Sequence, residues 1–331
     1  MPGLNIVAIL ISRETSHFRP DSLFTIFNMK DHISICICTY RRNQMLERLL
    51  RKLAHQETDD LFDYSIIVVD NDAAGPAREM VLRVRDELSL NITYSIEPVQ
   101  TISAARNHAL QLANGNYVGI IDDDEFPPTH WLITMYRAIQ TFDVDGALGP
   151  VHPFFDKEPP SWLVKSRLCE RPAHRTGTLL IWDQTRTGNV LLKKDVFDAH
   201  QLCFDLKYKT SGSDKEFFRE AMALGYRFIA VEEAPVYEVV PPERQTTSYY
   251  IRRAVLQASN ERKFRAPYLH GLSKVSVPMK AFAALLVYTM ILPFCFFIGS
   301  HAVMRYVGKA AYHASWLLAM LGIDLARQRN F

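Results

Sequence analysis

From residue 33 onward the apolar positions alternate between two rhythms. Residues 33–38 form a β-rich apolar run, and Met45, Leu46, Leu49, Leu50 and Leu53 follow at helical spacing. Residues 64–69 repeat the strand signal, after which Ala77, Met80, Val81, Val84 and Leu88 mark a second helical stripe. Ile92, Tyr94 and Ile96 alternate as a short strand, and Ile102, Ala105, Ala109 and Leu112 predict a third helix. Residues 117–121 are another buried-strand run, which Pro127 and Pro128 prevent from continuing. Strands alternating with helices of about ten to fifteen residues predict an α/β fold, a mostly parallel sheet with helices on both faces.

Beyond Pro150 the rhythm breaks. Pro153, Pro159, Pro160 and Trp162 lie in an irregular stretch, and strand character returns over residues 188–192. Ser213 and Asp214 then precede Phe217, Phe218, Ala221 and Leu224, a helical stripe closed by Gly225, so Asp214 sits at or near a helix N-terminus. The simplest role for an acid there is a cap on backbone N–H groups. Residues 249–264 read as a basic, partly apolar helix.

The polar clusters fall where such a sheet carries function. Thr39 to Arg42, Asp70 to Asp72 and the run Asp122-Asp123-Asp124-Glu125 each follow the carboxyl end of a strand, where open parallel sheets bind ligands. Four adjacent carboxylates repel one another and call for a cation. Hard oxygen ligands select Mg²⁺ or Mn²⁺, and such ions leave positions open for substrate phosphates. The plainer alternative is a solvated acidic turn.

Net charge adds little: 38 basic residues against 36 acidic ones create no global field to attract nucleic acid. Five cysteines without small-domain spacing fit a reducing compartment. Cys36 and Cys38 share a strand face, where packing as small apolar residues is their simplest role.

Residues 281–299 contain no charge and are long enough to cross a bilayer, so a C-terminal membrane segment is expected, a buried core helix being the alternative. Pro293 is expected to kink it. Residues 310–323 are apolar but shorter, and are expected to lie on the surface or re-enter. Arg252, Arg253, Arg262, Lys263, Arg265, Lys274 and Lys280 precede the run and place that side in the cytoplasm. Residues 4–11 make a poor secretory signal. Residues 1–28 are expected to be dispensable, with Met29 a candidate start.

At this point four motifs in order, residues 35–42, 68–72, 102–107 and 122–127, resemble family 2 glycosyltransferases of the GT-A, Rossmann-like fold, and among them the bacterial exopolysaccharide enzymes of the succinoglycan type. The resemblance covers residues 33–244. It implies that Thr39, Tyr40 and Arg42 lie against a UDP-sugar, that Asp70, Asn71 and Asp72 serve its uracil and ribose, and that Arg106 approaches the base or diphosphate. It makes Asp122 and Asp124 the D-x-D metal pair, Asp124 the direct ligand, with Asp122 or Asp123 near the ribose or sugar. Asn71 departs from relatives that carry Asp there. Asp214 takes the place of the catalytic base, with Ser213 where relatives carry Glu. Arg244, in the stretch Val240-Pro241-Pro242-Glu243-Arg244, would hold the leaving group. Independently of the resemblance, Trp162 is a candidate acceptor platform, since an aromatic face packs on sugar C–H groups, a buried core Trp being the alternative. The Gln-x-x-Arg-Trp signature of processive synthases is absent, since Gln245 is followed by Thr246-Thr247-Ser248-Tyr249.

The resemblance therefore implies inverting, non-processive transfer of a hexose, glucose for preference, from a UDP-sugar to a polyprenyl-diphosphate-linked oligosaccharide. The enzyme would sit on the cytoplasmic face of the plasma membrane, with Mg²⁺ or Mn²⁺ as cofactor. The expected organisation is an N-terminal extension (1–30), a nucleotide-sugar half (31–150), an acceptor half (151–245), a basic connection (246–275) and a membrane-associated tail (276–331). A nucleotidyltransferase, or a membrane-attached nucleotide-sugar-binding protein without catalysis, are the alternatives. The first is disfavoured by the lack of an early Gly-rich phosphate loop.

Overall fold

The computed structural model describes residues 30–208, 212–265, 269–323 and 325. Residues Asp31–Phe331 form one compact unit. The expectation for residues 1–28 lies outside the described residues.

In chain order the elements are β1 (Asp31–Thr39), α1 (Asn43–Leu53), β2 (Phe62–Asp70), α2 (Arg78–Leu88), β3 (Ile92–Ile96), α3 (Ile102–Leu112) and β4 (Tyr117–Ile120). There follow β5 (Glu125–Phe126), α4 (Trp131–Phe142), β6 (Gly146–Leu148), β7 (Val151–Phe154), α5 (Ser161–Ser166), β8 (Val190–Lys193), α6 (Asp195–Asp198), α7 (Ser213–Ala223), β9 (Phe228–Ala230) and β10 (Val236–Val239). Three helices close the chain: α8 (Thr247–Arg265), α9 (Ser273–Ile298) and α10 (Ser300–Met320).

A seven-stranded sheet runs β3-β2-β1-β4-β8-β6-β9. Four of its pairs are parallel, and β8 alone runs antiparallel to both neighbours. The period-2 alternation of strand residues explains the two layers. Ile33, Ile35 and Ile37 of β1 pack with Leu46, Leu49, Val81 and Leu132 of α1, α2 and α4 on one face. Cys36, between them, turns to the other face with Ala105 and Ala109 of α3 and Phe217 and Phe218 of α7. Cys36 thus packs as a small apolar group. The sheet takes strands from both sides of residue 150.

A second sheet, β5-β10-β7, is absent from the sequence reading. Its strands are only two to four residues long, too short to leave a periodic signal. It matters because β5 grows directly out of the acidic run, and its register sets Glu238 opposite Glu125.

Among the described residues one helix, α9, is long and apolar enough to cross a membrane: 26 residues, mean hydropathy 2.3, with 11% of that stretch buried. Phe282, Leu286, Met290, Phe294 and Phe297 all face outward. The helix includes Pro278 and Pro293. The shorter apolar stretch expected at 310–323 belongs to one continuous helix, α10, separated from α9 only by Gly299, at φ 128°. Trp316 of α10 is buried with Ala258 of α8 and Ala281 of α9. Tyr312 donates to Glu261 at 2.7 Å, Ser315 to the Val255 carbonyl at 3.2 Å, and Arg305 to the Ser166 carbonyl at the end of α5 at 3.1 Å. This polar stitching fixes α10 to α8 and α5, which sequence periodicity alone could not reveal.

Candidate active site

The parallel register brings the polar clusters together. Thr39 lies beside Asp70 at the ends of β1 and β2, and Cys36 beside Ile120 near the end of β4. Residues 39–42, 70–72 and 122–125 therefore share one edge of the sheet, as the strand order predicted.

Within the Asp70 loop, roles differ from residue to residue. Asp70 is fully buried, and its carboxylate accepts hydrogen bonds from the amides of Asp72 (3.1 Å) and Ala77 (3.0 Å) and from the Tyr94 hydroxyl (2.9 Å). With three donors in place it serves as the anchor of its own turn. Asn71 donates from Nδ2 to the carbonyls of Glu97 (2.9 Å) and Val99 (2.8 Å), tying the turn to the segment that leads into α3. Asp72 holds Arg41 at 2.6 Å, and Arg41, forced to φ 55°, stacks its guanidinium over the Tyr40 ring at 5.0 Å. Tyr40 is exposed, a flat aromatic rim beside the cluster.

The acidic run is not a solvated turn, since Asp123, Asp124 and Glu125 are buried. Thr39 donates to Asp123 Oδ2 at 2.8 Å. Arg42 Nη1 donates to Asp123 Oδ1 at 2.8 Å and to Asp124 Oδ2 at 3.1 Å. Arg244 reaches Asp124 at 3.4 Å and Glu238 at 3.3 Å, and Arg106 reaches Asp122 at 3.4 Å. Arg106 also lies over Phe204, which Asn107 fixes by two 2.8 Å hydrogen bonds to its backbone. Three arginines from distant parts of the chain thus converge on three consecutive acids.

Burial, reinforced by the Asp122 charge, pushes Asp124 up to about 6. Burial raises Asp123 as well, against the pull of Arg42. Glu125 is raised well above the usual carboxylate range, by burial first and then by Asp122. Its Oε2 accepts the Asp122 amide at 3.2 Å and so supports the loop.

A hard divalent cation fits this donor set. Asp124 carries a buried carboxylate whose hydrogen bonds to Arg42 and Arg244 both use Oδ2, and Asp122 is part-exposed. Mg²⁺ is commonly held by one or two carboxylates with substrate phosphates completing the shell. Among the described residues no group of three or more His, Cys, Asp or Glu is arranged to hold a metal ion.

Asp214 is the second residue of α7, after Gly212 at φ 98°. Among the described residues its carboxylate makes no hydrogen bond or salt bridge, and its charge acts on Arg186. It is thus a half-buried acid in the first turn of a helix. Trp162, in α5, is half-buried and packs edge-on against Tyr250 of α8 at 6.0 Å. Arg171, Arg186 and Glu238 escaped the sequence reading. Arg171 pairs with Glu238, which lies opposite Glu125, yet nothing in their local sequence marks them.

The family model for "Glycosyl transferase family 2" matches residues 34–203. The succinoglycan biosynthesis protein ExoM of Rhizobium meliloti (strain 1021) is 32% identical over 247 residues, 73% of this chain and 77% of that protein. Chondroitin synthase of Escherichia coli is 30% identical over 120 residues, 36% of this chain and 17% of that protein. In fold, the chain is similar to the mannosyltransferase PcManGT from Pyrobaculum calidifontis in complex with GDP-Man and Mn²⁺, with a TM-score of 0.57, 18% identity, and 91% and 89% of the two chains covered. It is also similar to S. aureus TarS 1-349 in complex with UDP, with a TM-score of 0.51, 18% identity, and 89% and 92% covered. With the mostly parallel sheet, the convergent acids and arginines, and a relative matched over most of both chains, the protein is a glycosyltransferase and belongs to glycosyl transferase family 2.

Proposed function

We propose that the chain transfers a single hexose, glucose for preference, from a UDP-sugar to a polyprenyl-diphosphate-linked oligosaccharide, with inversion, in bacterial exopolysaccharide or cell-surface polysaccharide synthesis. The observation that carries the reading is the meeting of Arg42, Arg106 and Arg244 with Asp122, Asp123 and Asp124 at the carboxyl edge of the sheet. Similarity to ExoM over most of both chains supports polysaccharide synthesis.

In this reading Tyr40 offers a stacking face for the base, and Thr39, Asn71 and Asp72 hold the turn around the nucleoside. Asp70 keeps that turn in place. Arg42, Arg106 and Arg244 present planar donor forks suited to phosphate oxygens. Asp124, with Asp122, holds Mg²⁺ or Mn²⁺; when bound, the ion supplies Lewis-acid neutralisation of charge on the diphosphate. Asp214 accepts the proton of an acceptor hydroxyl as that oxygen bonds to the anomeric carbon. The bond from that carbon to the diphosphate oxygen breaks, its electron pair leaving with UDP. Such general-base help contributes about 10² to 10⁴-fold.

The outward apolar face of α9 supports a membrane anchor, and the basic residues before it support the cytoplasmic side. A tethered enzyme meets a bilayer-bound acceptor at raised effective concentration. Trp162 is the proposed acceptor platform. Membranes carrying the chain, incubated with Mn²⁺ and radiolabelled UDP-glucose, should yield label in the lipid extract, and the product should have inverted anomeric configuration. Label that stays in free sugar, or that appears only with other nucleotide sugars, refutes the assignment.

A further inference from the structure

α9 and α10 form an antiparallel pair. Ala281 of α9 is buried with Trp316 of α10, and further along Tyr288 meets the rings of Tyr306 at 5.8 Å and His313 at 5.6 Å and the Lys309 ammonium at 5.2 Å. α9 spends one stripe on this contact: Val277, Ala281, Ala284, Tyr288, Ile291 and Cys295, at three- and four-residue spacing, are buried or half-buried. Val275, Met279, Phe282, Leu286, Met290 and Phe297 are exposed on the opposite side. That outward row is about 33 Å long at about 1.5 Å per residue. Such a length fits two orientations, across a bilayer or flat upon it.

α10 decides between them. It is a middle layer, within which only Ser300, Lys309 and Met320 are exposed. Its first half is bonded to α5, where Arg305 donates to the carbonyl of Ser166, and its second half to α8, through Tyr312 and Ser315. The α5 contact comes close behind the turn at Gly299. If α9 crossed a bilayer, that turn would reach the far side and α5 would have to follow it, although α5 belongs to the same compact unit as the sheet. His301, Arg305, Lys309 and His313, which recur along α10 at a spacing of four, would be carried to the same depth as α9. Ionisable side chains at membrane depth are costly and rare. A flat orientation keeps both α5 and this row out of the hydrocarbon.

We propose that α9 lies flat in one leaflet of an anionic lipid surface, its outward row among the acyl chains and its inner stripe on α10, so that both ends of the helix pair stay on the side of the catalytic body. Lys274, Lys280 and Lys309 are exposed, and among the described residues none of them is paired with a carboxylate. They supply the attraction to anionic headgroups that in-plane helices add to buried apolar area. Trp162 lies in α5, so the proposed acceptor platform is tied through α10 to the lipid-facing helix. This rests on the reading that the tail is a membrane anchor.

The test is the side from which the turn can be reached. The full-length chain carrying Ser300→Cys is treated with a membrane-impermeant maleimide in spheroplasts and in inverted membrane vesicles, with the native chain, whose Cys203 is exposed, as the reference. Position 300 should be labelled in inverted vesicles and at least tenfold more slowly in spheroplasts. Labelling from outside the spheroplasts means that α9 crosses, and protection from both sides means that the turn plunges into the bilayer core; either overturns the proposal. The native chain should also float with vesicles of phosphatidylglycerol and phosphatidylcholine, and Met290→Asp at least tenfold less. Lys274→Ala with Lys280→Ala should weaken flotation on these vesicles and leave it unchanged on phosphatidylcholine alone. Undiminished flotation of Met290→Asp, or of the lysine variant on the charged vesicles, overturns the proposal, as does a native chain that stays off vesicles as a dimer closed over α9. If the native chain is monomeric and associates with no membrane, the anchor reading itself falls. Retained UDP affinity reports that each variant is folded, and where Met290→Asp does not fold, Ser300→Cys decides.

Discussion

Arg42 uses one nitrogen, Nη1, to hold both Asp123 and Asp124, at 2.8 and 3.1 Å. The two carboxylates are buried while the arginine is about 40% exposed, so the guanidinium bridges solvent and the acidic run. Removing it leaves two buried acids short of a partner. Arg42→Ala should lower stability by about 1–3 kcal/mol, discounted from the value for fully buried pairs because the arginine is part-exposed. It should also weaken UDP-sugar binding. Thermal unfolding in detergent with and without UDP checks both, and an unchanged midpoint with unchanged binding would show that the bridge is idle.

Asp214→Asn should reduce transfer by about 10² to 10⁴-fold and leave UDP-sugar affinity close to native. The amide keeps the size of the side chain and removes only its basicity. Full transfer by this variant places the base elsewhere.

Metal dependence should carry a pH signature. Asp124 in the free protein is raised to about 6, and a carboxylate must lose its proton to bind a cation. Apparent Mn²⁺ affinity should therefore fall as pH drops through about 6 and level off above 7. The same shift has the opposite sense for stability. A folded-state pKa above the unfolded one favours the folded chain at low pH, and that contribution is lost as pH rises from about 4 through about 6. Manganese titrations and unfolding midpoints across pH 5–8 separate the two trends. EDTA should abolish transfer and Mn²⁺ should restore it.

Asp70→Asn should act through the fold of its turn. Three donors converge on this carboxylate, and the amide cannot accept from all of them without reorientation. A stability loss of about 1–3 kcal/mol is expected, with weaker UDP binding as a consequence. A variant of native stability that has lost UDP affinity would instead mean that Asp70 touches the ligand.

The sequence was most legible where periodicity is long. β1, β2 and the helices packed on them span nine to eleven residues, enough for the alternation of Ile33, Ile35 and Ile37 or the stripe of Leu46, Leu49 and Leu50 to declare itself. The polar clusters could be placed at strand ends because a parallel sheet fixes where its loops go. Short elements left no such trace. The two-residue β5 and its partner β10 put Glu238 opposite Glu125, and Arg171 arrives from an irregular loop. Those contacts are set by tertiary register, to which local spacing is blind. The partnering of Asp70 was hidden for the same reason, since its donors come from Ala77 and Tyr94, seven and 24 positions away.

One short stretch of backbone joins the chemistry to the tail. Arg244, which touches Asp124, ends a single 3-10 turn, Pro242–Arg244, and α8 begins at Thr247. A 19-residue helix thus starts close to an acidic-site contact. α10 holds that helix and α9 together and is itself bonded to α5. The acidic run and the apolar helix α9 are therefore joined through Arg244, α8 and α10 rather than carried by separate parts of the fold.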